Sequence, residues 1–204
     1  MTKVISKRRG VNVTKAEHNL VMKLVKKAVR ELSKKKYEFP DFIRTDNCWL
    51  EVETKNRGQR SYGGSLGIMI DVSRYRQKIK VLNEYPAFSK DPVIGDAITD
   101  DPEVVLFGTV CHEVAHWAQL NSRLARKMKR YQDTFRKAHG KCFQSIYRYL
   151  RVALVNPLVK KSQVKVVEET LSSKAFVEAG VDLQQVKDCF EKLNGEMRYA
   201  SSQK

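Results

Sequence analysis

The chain has 204 residues, room for one good-sized domain or a domain with a small appendage, and at 42 % hydrophobic it can bury a core, which excludes global disorder. No apolar run approaches membrane-spanning length, and the stretch MTKVISKRRGVNVTK lacks a signal peptide's apolar core. The formal charge of +16 is unevenly placed: net +8 over residues 1–47, +11 over 121–161 and −1 over 162–204, which points to a polyanion such as nucleic acid.

Four cysteines (Cys48, Cys111, Cys142, Cys189) lie far apart with no Cys-x-x-Cys pair, so neither a zinc ribbon nor a disulfide scaffold is expected. The setting they suggest is reducing and intracellular, in the cytoplasm or the nucleoid/nucleus.

Residues 1–13 read as a basic flexible arm. Thr14-Lys-Ala-Glu17 forms a capping box, followed at helical spacing by Leu20, Val21, Leu24, Val25, Ala28, Val29 and Leu32, so an amphipathic helix of about five turns is expected. His18, near its start, is expected to face solvent. Residues 48–54 alternate like a strand, 62–72 read as a second strand entered through Gly63-Gly64, and 78–82 as a short third. The glycine pair suggests a bulge or a close backbone approach. Residues 83–100, with Pro86 and Pro92, are a loop.

Asp101-Pro102 then opens a helix, aspartate as cap and proline at the first helical position. Its sequence is nearly all apolar, so it should be buried on most of its circumference. Into it the chain places His112-Glu113-Val-Ala-His116. Residues four apart share a helix face, so the two imidazoles can reach one metal ion, and Glu113 lies where a carboxylate can take a proton from an activated water. This HExxH arrangement supplies two zinc ligands and the general base of a metallohydrolase. Burying two histidines and a glutamate with no use for them would be costly.

Catalytic zinc usually takes three protein ligands. Gln119 and Ser122 stand where the metzincin pattern needs glycine and histidine, which excludes that class. Glu168 or Glu169 could serve as in thermolysin-like enzymes. His139 is the stronger candidate, because Gly140 after it allows a tight turn back to the metal. Between them, residues 122–138 read as an amphipathic helix with one cationic face, 141–155 as a further helix stopped by Pro157, and 162–204 as two short helices.

His112-Glu113-x-x-His116 followed by His139-Gly140-x-x-Phe143 resembles the SprT-like zinc metalloprotease family, over roughly residues 14–155. The resemblance implies one Zn2+ held by His112, His116 and His139, Glu113 as general base, and proteolysis of proteins trapped on DNA. The fold expected is α+β: a zincin-like core with an N-terminal helix, a small antiparallel sheet, the HExxH helix and further helices, occupying 14–157. A helical appendage, 158–204, follows. DNA would be gripped through its phosphates, as single or double strand, by Arg123, Arg126, Lys127, Lys129, Arg130, Arg136, Lys137, Arg148 and Arg151. Trp117, Tyr131, Tyr147 and Tyr149 are available for base stacking, although core packing is the commoner fate of such residues. Two alternatives remain: a non-catalytic DNA-binding protein on a zincin fold, or a gluzincin-like peptidase acting on a regulatory protein.

Overall fold

Helix α1 (Lys15–Lys34) follows from its apolar stripe: Val21, Leu24, Val25, Ala28, Val29 and Leu32 are all buried. The capping box closes as expected, with Thr14 N–H on Glu17 Oε2 at 2.8 Å and Glu17 N–H on Thr14 Oγ1 at 3.2 Å. The computed structural model describes residues 2–34, 49–58, 60–121 and 137–159, all within one unit, Met1–Ser162. The expected helix at 122–138 lies largely outside the described residues, as do the segment 35–48 and the helices expected within 162–204.

The basic arm is a correction. Lys3–Arg9 forms a strand, β1, paired in parallel with β2 (Trp49–Lys55) from Lys3↔Trp49 to Arg9↔Thr54, with a bulge between Ser6 and Arg8. Backbone hydrogen bonds order it, with Gly10 N–H on Thr54 O at 2.8 Å continuing the ladder, and its side chains stay mostly exposed. Charge with little burial is what an edge strand tolerates, so composition resembles that of a loose arm. His18 is a second correction. It is buried, not solvent-facing, and its ring joins Ser6 Oγ (2.8 Å) to Thr54 Oγ1 (2.9 Å), linking α1 to β1 and β2.

The strand expected at 62–72 is two strands: β3 (Tyr62–Gly63) turns back antiparallel onto β4 (Gly67–Asp71). The sheet order is β1-β2-β4-β3, and β2 pairs with β4 in parallel. The sheet is therefore mixed rather than antiparallel, because the β1–α1–β2 connection is a helical crossover and only β3 is reached by a tight turn. In β2, Leu50, Val52 and Thr54 point into the core while Glu51, Glu53 and Lys55 face outward. A short helix α2 (Ser73–Arg76) follows β4, and a small ribbon, β5 (Val81–Leu82) with β6 (Ala97–Ile98), brackets the loop.

Helix α3 (Pro102–Asn121) packs against α1, β4 and α4 (Lys141–Leu150) at the centre of the core. Asp101 Oδ1 accepts the Glu103 N–H at 2.8 Å, the expected cap. Buried residues occur on every side of α3, among them Phe107, Val110, Cys111, Val114 and Trp117. Pro157 does not stop the last helix. Arg151–Val155 widens into a π-helix, with Asn156 N–H on Arg151 O, and residues 156–159 remain helical. A wider turn keeps the proline ring off the carbonyl four residues back and absorbs the missing donor. No helix among the described residues is long and apolar enough to cross a membrane.

Candidate metal centre

Four residues apart on α3, His112 and His116 lie on one face, and His139 enters from the turn before α4. Their rings converge: His139 Nε2 is 3.2 Å from His112 Nε2 and 3.2 Å from His116 Nε2. One ligand atom from each lies within 4.8 Å of the other two, so the three can hold a metal ion; they are the one such group among the described residues. Gly140 has φ −73° and ψ −178°, a conformation open to any residue, so a special glycine turn is not what returns His139. Its backbone carbonyl is held by Gln144 Nε2 at 2.9 Å, and its ring stacks on Tyr85 with centroids 4.4 Å apart.

Each ring has an orienting contact. His112 Nδ1 lies 3.2 Å from Glu84 Oε2, from the loop after β5. The side chain of the buried Gln119 hydrogen-bonds His116 and also donates to Lys137 O at 2.9 Å. Phe143, fully buried on α4, stacks under His116 with centroids 4.3 Å apart.

Burial pushes the His116 imidazole down to about 3, helped by the nearby His112 and His139 and opposed by the Gln119 hydrogen bond. His139 is lowered by burial and by His112. Both rings are therefore neutral near pH 7, the form in which imidazole binds a metal. Glu113 is 7 % exposed, and burial raises its carboxyl to about 7, with His112 opposing and Glu84 adding to the rise. It opens, with the three histidines, onto a cleft of about 690 Å³ whose other walls include Tyr62, Gly63, Tyr85 and Pro86.

Gly63 is where strand and helix meet. A Cβ there would lie 2.5 Å from the Glu113 carbonyl oxygen, 2.8 Å from His116 Cβ and 3.1 Å from Glu113 Oε2. The glycine pair thus marks a close backbone approach, which brings the edge strand β3 against the face of α3 that carries Glu113 and His116.

The basic residues expected to grip DNA divide into four groups. Arg123, Arg126, Lys127, Lys129, Arg130 and Arg136 lie outside the described residues, and Lys137 is exposed. Arg148 is ion-paired with Asp91 and half-exposed. Arg151 is a correction: it is 3 % exposed and bound to Glu84, Gly95 O and Asn156, so it cannot meet a phosphate. Trp117 and Tyr147 are likewise fully buried and unavailable to stack on bases. Tyr131 lies outside the described residues, and Tyr149 donates to Glu31 Oε1 at 3.0 Å. Cys111 and Cys142 are buried core thiols. Glu168 and Glu169, the alternative third ligands, lie outside the described residues.

Sequence reading missed Glu84, Gln119, Tyr85 and the true role of Arg151. Glu84 is 28 residues before His112 in a loop with no periodicity, so no spacing rule points to it. Gln119 was legible in part: it sits three residues after His116 on the same helix. The chain matches no protein-family model, no curated protein and no solved structure.

Proposed function

We propose that this chain is a zinc-dependent endopeptidase of the SprT-like type, acting on DNA-associated proteins. The observation that carries the reading is the meeting of three imidazole Nε2 atoms beside a buried carboxylate on one open cleft. An all-nitrogen set of three suits zinc and leaves a further position for a substrate or water. The presence of His139 in the cluster favours this set over a glutamate third ligand.

His112, His116 and His139 would hold the ion. When bound there, zinc would supply a Lewis acid able to polarise a carbonyl and to make water more acidic. Glu113, buried beside the histidines and lining the same cleft, would take a proton from a water there and deliver it to the leaving amine. The outer edge of β3, the end strand of the sheet among the described residues and close to Glu113 through Gly63, is where an extended substrate segment would add as a further strand. The charge of +16 supports a nucleic-acid partner bound through phosphates, and with it a substrate delivered on DNA.

The test is zinc content by elemental analysis on wild type, His139→Ala and Glu113→Gln, each assayed for protein cleavage with and without single-stranded DNA. The expected result is one zinc in wild type, loss of zinc in His139→Ala, and zinc retained without DNA-stimulated cleavage in Glu113→Gln. Zinc retained by His139→Ala removes the three-histidine site. Zinc without cleavage under any condition favours a DNA-binding protein.

A further inference from the structure

Behind His112 lies a polar cluster for which hydrolysis itself has no need. Glu84, whose side chain is 2 % exposed, has three polar side chains against its carboxyl. Tyr147 O–H and Arg151 Nη1 (3.0 Å) both donate to Oε1, while His112 Nδ1 faces Oε2 at 3.2 Å. Arg151 also donates from Nη2 to Gly95 O at 3.1 Å and from Nε to Asn156 Oδ1 at 2.9 Å, and Asn156 Nδ2 reaches Val93 O at 3.0 Å. The Glu84 backbone N–H is itself held by Asp96 Oδ1 at 2.6 Å. The loop between β5 and β6 is thus fastened at several points to the π-helical turn that follows α4.

We infer that Glu84 is the positioning residue for the metal centre: its Oε2 accepts His112 Nδ1–H and so fixes the tautomer that presents Nε2 to the metal. The inference rests on the three-histidine reading above. A carboxylate only accepts, so the ring nitrogen facing it must carry the hydrogen, and the other nitrogen keeps its lone pair. That other nitrogen is the one 3.2 Å from His139 Nε2, at the meeting point of the cluster. Were Glu84 present only to neutralise the buried Arg151, nothing would require its second oxygen to face His112. Tyr147 and Arg151 saturate Oε1 and hold the carboxyl plane, so Oε2 is left for the histidine. Outer partners of this kind govern metal affinity by fixing ring orientation.

The experiment uses the full chain. Zn2+ affinity is measured by competition with a chromophoric chelator for wild type, Glu84→Leu and the double variant Glu84→Leu/Arg151→Met, leucine offering no acceptor to His112 Nδ1–H. The His112 tautomer of each metal-free protein is read from its ring 15N shifts, and thermal melting reports folding. The single variant leaves a buried guanidinium without its counter-charge and can lose stability for that reason alone; the double variant removes both charges. The expected result is a Zn2+ affinity about 10- to 100-fold weaker in both variants, even where the double variant melts like wild type. His112 should be the Nδ1–H tautomer in wild type and lose that preference in both variants. A folded double variant with wild-type affinity and an unchanged tautomer overturns the inference, as does a wild-type His112 carrying its hydrogen on Nε2. Should wild type show the Glu84-dependent tautomer yet bind no Zn2+, the metalloprotease reading fails while the positioning of His112 by Glu84 stands.

Discussion

At the scale of single residues the site depends on what is missing as much as on what is present. Gly63 has no side chain, and β3 can therefore touch α3 beside Glu113 and His116. Gly63→Val should overpack this contact and cost about 1–3 kcal/mol, with weakened Zn2+ binding, measured by urea unfolding and chelator competition. Burial also silences two thiols: it drives Cys142 up to about 12 and Cys111 well above its usual range. Mass mapping after iodoacetamide should find Cys111 and Cys142 unlabelled in the native chain and labelled in urea.

Among the elements, α1 carries two titrations of the same sense, both groups being held below their ordinary values. Burial is the main cause that lowers His18, with Arg9 adding to it. The folded chain therefore holds the neutral ring while an unfolded one takes a proton below about 6.5, so this contribution is complete above that pH and is lost as pH falls below it. Urea midpoints at pH 7.5 and 5.0 should fall less in His18→Asn than in wild type. Glu17 is held down to about 2, chiefly by its hydrogen bond from Arg76 (2.5 Å), with the Thr14 cap contributing. Its contribution is present above its ordinary 4.5 and is lost as pH falls toward 2. Thr14→Ala should cost about 1 kcal/mol through the lost cap, read from the same unfolding curves.

For the whole molecule the charge and the proposed metal site set the expected behaviour. A ligand that binds only the folded chain stabilises it by about 2.7 kcal/mol at one hundred times its dissociation constant. Zn2+ should therefore raise the melting temperature, and a chelator should reverse the rise, in wild type but not in His112→Ala. DNA affinity should fall steeply and linearly on a log–log plot against salt, with little dependence on base sequence. Replacing Arg151 should leave that salt slope unchanged, because its guanidinium is buried against Glu84.

The parts legible in the chain were those written in local periodicity. The stripe of α1, its capping box, the Asp101 cap of α3 and the four-residue spacing of His112 and His116 all repeat within a turn or two, and helical geometry converts them directly into faces. The nearness of His139 was legible too, although its return is held by Gln144 and Tyr85 rather than by a glycine turn. Long-range pairing was not legible. Whether Lys3–Arg9 is an arm or a strand depends on a backbone ladder with residues some forty-five positions on, and hydrogen bonds of the backbone leave no trace in side-chain type. The same holds for His18, which is buried because β1 and β2 close over it, and for Arg151, whose charge reads as a surface feature until Glu84 is folded against it. Spacing along a helix places neighbours; only the packing of loop on helix assembles Glu84, Tyr147 and Arg151 behind His112.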